Sequence, residues 1–213
     1  MIVVRLLSDA LDDILSKVHK KQFSKPKQLL ETLASAYTIG APPLMSVPMT
    51  DLLNEAGKHA FHIGTPDPEM RRIAAWIFTQ LGRKDGTLDR IITALWQRGG
   101  REDFKLISLL LANRDYSERK TTPWSEVFDL LGKAHYFALE VVLELFEEIA
   151  RAGHPLPANQ SLKTWAERGK IEHQCIVLLL TLSKNNDIHR ALIVSAPVGG
   201  ELFERIRDRL LSS

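Results

Sequence analysis

Two eighteen-residue stretches of this chain align without a gap. Leu95 to Ala112 lies over Thr164 to Thr181, so that Trp96 meets Trp165, Gly100 meets Gly169, Arg101 meets Lys170, Ile107 meets Ile176 and Leu109–Leu111 meets Leu178–Leu180. Half of that offset, about 35 residues, brings Gly132 to Leu143 into the same register. One step earlier lies Asp67 to Trp76, with Ile73 over Ile107. The recurrence predicts four successive helices, each preceded by a shorter helix and a tight break. A helix pair of this size cannot bury its apolar face alone, and stacking on the next pair supplies the missing wall. Tetratricopeptide repeats share the period, but their Trp, Gly and Tyr spacing is absent. The fold expected is therefore all-α: an α-α superhelix, a HEAT-like or armadillo-type solenoid of antiparallel helix pairs, stacked in a right-handed sense. It is read as one domain over 1–213, with less regular N-terminal helices over 1–47 capping the stack. Trp96 and Trp165, at the ends of short helices, read as buried wedges between layers.

Proline and glycine punctuate the rest. Between prolines at 26, 42, 43, 48, 66, 68, 123, 155, 157 and 197 the apolar residues recur at three and four. Leu6, Ala10, Leu11, Ile14, Leu15 and Val18 give one helix; Leu29, Leu30, Leu33 and Tyr37 give the next. Further helices are predicted over 51–60, 66–81, 87–97, 101–113, 124–132, 136–152, 159–168, 170–184, 187–195 and 200–211. Thr65 or Asp67 can cap the helix that starts in the Thr-Pro-Asp-Pro-Glu passage. No stretch reads as a strand.

The 213 residues and 24.0 kDa suit one ordinary domain or at most two small ones. Apolar runs such as Ile176–Leu180 fall far short of the ~20 residues a membrane helix needs, so no membrane association is expected. Arg5, Asp9, Asp12 and Asp13 interrupt the N-terminus at once, which fits no secretory signal. A single cysteine, Cys175, excludes an internal disulfide and a cysteine-rich zinc site. The expected location is cytoplasmic.

Net charge is only +2, too balanced to imply nucleic acid by itself. The distribution says more. Lys17, Lys20, Lys21, Lys25 and Lys27 fall in a stretch with no acid between Asp13 and Glu31. Glu140, Glu144, Glu147 and Glu148 share one predicted helix and read as a solvated acidic stripe. Arg71, Arg72, Arg98, Arg101, Lys133, Arg168 and Lys170 cluster at helix starts of the repeat unit, where stacking would make a ladder able to track a phosphate backbone. Glu69, Glu102, Asp103 and Glu172 interrupt it. No dinucleotide or phosphate-binding loop, nucleophile elbow or His-Glu-x-x-His motif is present. His59 and His62 are three apart but lack a third ligand nearby, so no metal is expected. Cys175, inside an apolar helix, reads as a small core residue. No cofactor is implied.

Taken together, Pro48-Met49, the passage Lys58 to Arg72 with its Phe61, Gly64 and Pro66, Leu95-Trp96 and Arg101-Glu102 resemble the HEAT-like DNA alkylation repair family, the AlkD-like alkylpurine DNA glycosylases. That family shows a Pro-Met helix, a Phe-x-x-Gly-Ile-x-x-Pro-x-x-Arg-like passage, and a Leu-Trp helix end followed by an Arg-Glu helix start. The resemblance spans about residues 48 to 184, with Trp165 in a later repeat. It implies duplex DNA held in a basic concave groove by Arg71, Arg72, Arg98, Arg101, Lys133 and Lys170, and hydrolysis of the N-glycosidic bond of a cationic alkylpurine. Where the family has tandem Trp and then Asp, this chain has His135 to Glu140, so Tyr136 is the stacking candidate and Glu140 the catalytic carboxylate. An acid beside aromatics can grip a cationic base and stabilise positive charge on the sugar. The groove arginine of the family has no counterpart between Ile171 and Ser183. The function expected is duplex DNA binding with a degenerate glycosylase site. The alternative is a non-enzymatic scaffold that holds a protein partner in the solenoid groove.

Overall fold

The computed structural model describes residues 10–41, 47–49, 60–82, 84–133, 138–184 and 186–212. The described chain is helical apart from one two-stranded ribbon. Helix α1 covers 10–16, and a 3-10 turn spans Lys20–Ser24. Then come α2 (Pro26–Tyr37), β1 (Val47–Met49), β2 (Ala60–His62), α3 (Asp67–Leu81), α4 (Asp85–Arg98), α5 (Arg101–Asn113) and α6 (Pro123–Leu131). The order continues with α7 (Leu139–Arg151), α8 (Asn159–Ala166), α9 (Lys170–Leu179), short 3-10 turns at Leu180–Leu182 and Asp187–His189, α10 (Arg190–Val194) and α11 (Glu201–Ser212). No described helix is long and apolar enough to cross a membrane.

The ribbon corrects the expectation of no strand. Pro48 and Met49, placed on a helix by the resemblance, lie in β1. A three-residue strand is too short to show the period-two alternation by which a sequence announces one. The helix expected at 51–60 falls almost wholly outside the described residues, and Ala60 is in β2.

The repeat register locates two helix breaks correctly. Gly99 ends α4 in the left-handed region at φ 71°, where a side chain would strain, and α5 starts two residues later. At the matched position Glu167, Arg168 and Gly169 separate α8 from α9. Other parts of the pattern hold less well. Helix α4, with 14 residues, is longer than α5, with 13, and α7 starts only at Leu139 although its register begins at Gly132. The first turn of α3 has Pro66 as its cap residue with no side-chain cap; the Thr65 hydroxyl instead donates to the Tyr37 carbonyl at 2.6 Å.

The residues group into two compact units, one of 1–48 with 60–110 and one of 49–59 with 111–213. In the first, α2 packs on α3 and α4. Its core holds Leu11, Leu29, Leu33, Met70, Ile73, Ile77, Ile91 and Leu95. In the second, α9 touches α6, α7, α8, α10 and α11. This central position explains why Cys175 to Leu180 is apolar on every side, since a helix apolar all round must be enclosed. Phe128 stacks on Trp165 with ring centres 4.4 Å apart and on Phe146 at 5.7 Å. Trp165 is buried as expected. Its repeat mate Trp96 is only half-buried, edge-on to Phe104 at 5.3 Å, so the two tryptophans do not occupy equivalent positions.

Candidate nucleic-acid interface

The basic residues singled out from the sequence sort by what holds them. Arg71 pairs with Asp67 one turn back at 2.6 Å, and Lys105 reaches the same carboxylate at 3.1 Å. Partial burial works against charge on Asp67, but the hydrogen bonds from Arg71 and Lys105 prevail and hold its carboxyl below the ordinary range. Arg72 pairs with Asp12 at 2.7 Å.

Arg98 is the most committed of them. Its Nε donates to Asp103 at 2.8 Å, its Nη2 donates to the other oxygen of that carboxylate, and its Nη1 donates to the Leu30 carbonyl. The guanidinium also lies 5.5 Å from the centre of the Tyr37 ring. Burial opposes its charge, and the Asp103 carboxylate more than offsets that, leaving Arg98 above its ordinary value. Asp103, 1% exposed, further accepts from the Tyr37 hydroxyl at 3.1 Å and the Gly100 N–H at 3.1 Å. Burial, followed by the Asp103 charge, pushes the Tyr37 hydroxyl well above its usual value, so it stays a donor. This is a structural clamp, with a bidentate fork at its centre.

Glu102 makes a second clamp. One carboxylate oxygen accepts the N–H of Ile63 at 2.9 Å and of Gly64 at 2.8 Å. Two stretches that carry the family resemblance, around Gly64 and around Arg101-Glu102, therefore meet through this buried acid. On sequence, Glu102 and Asp103 read as interruptions of a basic surface; they are 5% and 1% exposed and support the fold. Arg101, at the start of α5, is half-buried.

In the second unit the breaks after α6 and before α9 converge. A Cβ on Gly132 would lie 3.1 Å from one oxygen of Glu172, and a Cβ on Gly169 would lie 2.7 Å from the other. The two glycines thus flank one carboxylate, which brings the neighbouring Lys133 and Lys170 to the same locality. Both lysines are exposed and have no ion-pair partner among the described residues. Arg168 in the same stretch is paired with Asp129 at 2.9 Å.

Glu140 is an exposed residue in the first turn of α7 and has no hydrogen-bond partner among the described residues. Tyr136, its proposed companion, lies outside the described residues, as do His135 and Phe137. The acidic stripe is not wholly solvated: Glu148 is 3% exposed and bonded to Arg151. Among the described residues no cluster of three or more His, Cys, Asp or Glu side chains is arranged to hold a metal ion; His59 lies outside them. Cys175 is fully buried, in keeping with a core role.

The most elaborate polar cluster went unnoticed in the sequence. Glu126 accepts from Arg114 at 3.0 Å, Arg119 at 3.0 Å, Thr121 at 2.7 Å and the Tyr116 hydroxyl at 3.3 Å, pinning the loop between α5 and α6 to α6. Burial, then the Glu126 charge, raises the Tyr116 hydroxyl far above its ordinary value. The signal available was two arginines and a tyrosine within twelve residues of one acid. No protein-family model, curated protein or solved structure matches the chain.

Proposed function

We propose that this is a helical-repeat protein related to the DNA alkylation repair family, which binds duplex DNA through its phosphate backbone. Weak or absent base excision belongs to the same reading. The observation that carries it is the convergence of Lys133 and Lys170, exposed and without an ion-pair partner among the described residues, on the glycine breaks of two adjacent helix pairs. In the second unit α9 touches both α6 and α7 of the preceding pair, the contact that stacking as a HEAT-like solenoid requires. A lysine at a helix break offers its ammonium to phosphate without reading the base, so affinity should depend on salt and little on sequence.

The test is a fluorescence-anisotropy titration of a labelled duplex at several salt concentrations. Exchanging Lys133 and Lys170 for Gln should lower the salt slope by about two phosphate equivalents. Duplex binding indifferent to salt, or none at low salt, overturns the reading. Excision is followed as release of N3- or N7-alkylpurine. An alkylpurine is already a good leaving group, so the enzyme need only stabilise the cationic sugar and place water. Any release observed should be lost in Glu140→Gln with binding intact.

A protein-interaction scaffold is the second reading. It is favoured by Ile188, Val194 and Val198, which are 65%, 60% and 70% exposed within eleven residues near the C-terminus. Retention of a partner by the wild type and its loss in Val194→Asp would support that role.

A further inference from the structure

We infer that the lysine-bearing turn between α1 and α2 is a phosphate-contacting surface for duplex nucleic acid, and the dominant one in this chain. The inference rests on the DNA-binding reading above and moves its centre of charge to residues outside the repeat.

Lys17, Lys20, Lys21, Lys25 and Lys27 are all exposed, and none has an ion-pair partner among the described residues. In the same unit Arg71, Arg72 and Arg98 are neutralised by Asp67, Asp12 and Asp103. The turn is fixed from below. Phe23 is 3% exposed with its ring 5.2 Å from that of Trp76, while Leu15, Leu29 and Leu33 are buried. The His19 N–H donates to Gln22 Oε1 at 2.7 Å, and the Lys25 N–H to the Gln22 carbonyl at 2.8 Å. Five ammonium groups thus stand on a short, tied-down platform.

That charge does not serve the fold. Helix α2 has no acid in its first turn and carries Lys27 there, whereas the positive end of a helix favours acids. Eleven residues folded as turn and helix span about 20 Å or less, a length of duplex that carries roughly a dozen phosphates. An anionic membrane is the other common partner of a lysine cluster, but insertion needs an apolar face beside the charges. Here Leu15, Phe23 and Leu29 are spent on the core, Ile14, Val18 and Leu30 are half-buried, and no large apolar residue of the segment is exposed. Charge without an insertion face fits a polyphosphate backbone.

The experiment compares three proteins on a labelled duplex of about 20 base pairs across 50–300 mM KCl, the range in which counterion release dominates. They are the wild type, K17Q/K20Q/K21Q/K25Q/K27Q, and a version with the same five lysines changed to Arg, each checked by circular dichroism. The Gln protein should show a salt slope smaller by about three to four and affinity at least about tenfold lower at 100 mM salt. The Arg protein should bind as the wild type does, which separates lost charge from lost fold. If the wild type binds and the Gln protein binds equally well, this inference fails while the DNA reading stands. No binding by the wild type at 50 mM KCl defeats both. Tighter, lysine-dependent binding to phosphatidylserine vesicles than to duplex would overturn the assignment in favour of a membrane surface.

Discussion

Removal of the Asp103 carboxylate should unfold the protein more readily than the loss of any surface charge. In Asp103→Ala, four donors lose their acceptor: Arg98 Nε and Nη2, the Tyr37 hydroxyl and the Gly100 N–H. Breaking a buried ion pair from one side costs about 3–5 kcal/mol, because the other charge is stranded. Arg98 is not fully stranded, since its side chain is 28% exposed and keeps the Leu30 carbonyl, so roughly 2–3 kcal/mol is the better figure for this pair. The buried Tyr37 hydroxyl left without an acceptor adds about 1–2 kcal/mol. A loss near 4 kcal/mol is a large part of the 5–15 kcal/mol typical of a domain.

Urea unfolding followed by circular dichroism measures it, and a cycle with Arg98→Ala and the double variant isolates the pair. The coupling should be at least about 1.5 kcal/mol, since each residue works through the other. Asp103→Ala within about 1 kcal/mol of wild type, or a coupling near zero, would refute the reasoning. The same variants bear on function. A guanidinium whose fork is already filled by a carboxylate has little left for phosphate, so Arg98→Ala protein that remains folded should keep the wild-type salt slope. A slope reduced by about one would return Arg98 to the DNA-contacting set.

Other expectations follow from burial and charge. Trp165→Ala should cost about 3–5 kcal/mol and Trp96→Ala clearly less, because only Trp165 sits in the aromatic stack; equal losses in urea melts would restore their equivalence. Gly199→Ala should destabilise by about 1–3 kcal/mol, because its Cβ would stand 2.5 Å from the fully buried Phe203 ring and 3.0 Å from its Cβ; an unchanged midpoint would contradict this. Burial pushes His189 below its ordinary value, so the unfolded chain takes up the proton first as pH falls through about 6.5. Stability therefore drops from pH 7.5 to 5.5 more in the wild type than in His189→Gln, and parallel losses in the two would argue against it. Lys27→Glu should raise Tm slightly while weakening duplex binding, since an acid suits the start of α2 and repels phosphate.

Helix content was legible because each long helix carries an apolar stripe at three-four spacing and most are bounded by proline or glycine. The Gly100 and Gly169 breaks were legible from the repeat. Both are followed three residues on by an acid, Asp103 and Glu172, which folds back over the glycine. The ribbon at Val47–Met49 and Ala60–His62 was not legible, because three residues carry no period. The different burial of Trp96 and Trp165 was also hidden. Matched positions in a repeat share neighbours along the chain, whereas Trp165 owes its burial to Phe128, a contact made across helices.

The candidate site was harder to read, for a reason rooted in the chemistry of the two basic side chains. A sequence reports that Arg71, Arg98, Lys133 and Lys170 are all cationic; it does not report which carboxylate each will find. Arginine presents a planar fork that matches a carboxylate: Arg71 and Arg98 each engage both oxygens of one, and Arg72, Arg114, Arg119 and Arg168 each pair with a carboxylate. Lysine is a compact, strongly hydrated charge on a flexible stem, less readily drawn into such pairs, although Lys105 shows that it can be. The fold thus uses many of its arginines as internal ties and leaves the exposed lysines of two localities, the turn from 17 to 27 and the Lys133–Lys170 break, to face solvent. A chain with net charge of only +2 can in this way present concentrated positive surface, because several of its acids are spent on arginines. For phosphate contact, the partner of a basic residue matters more than its register in the repeat, and that partner is fixed only when the helices pack.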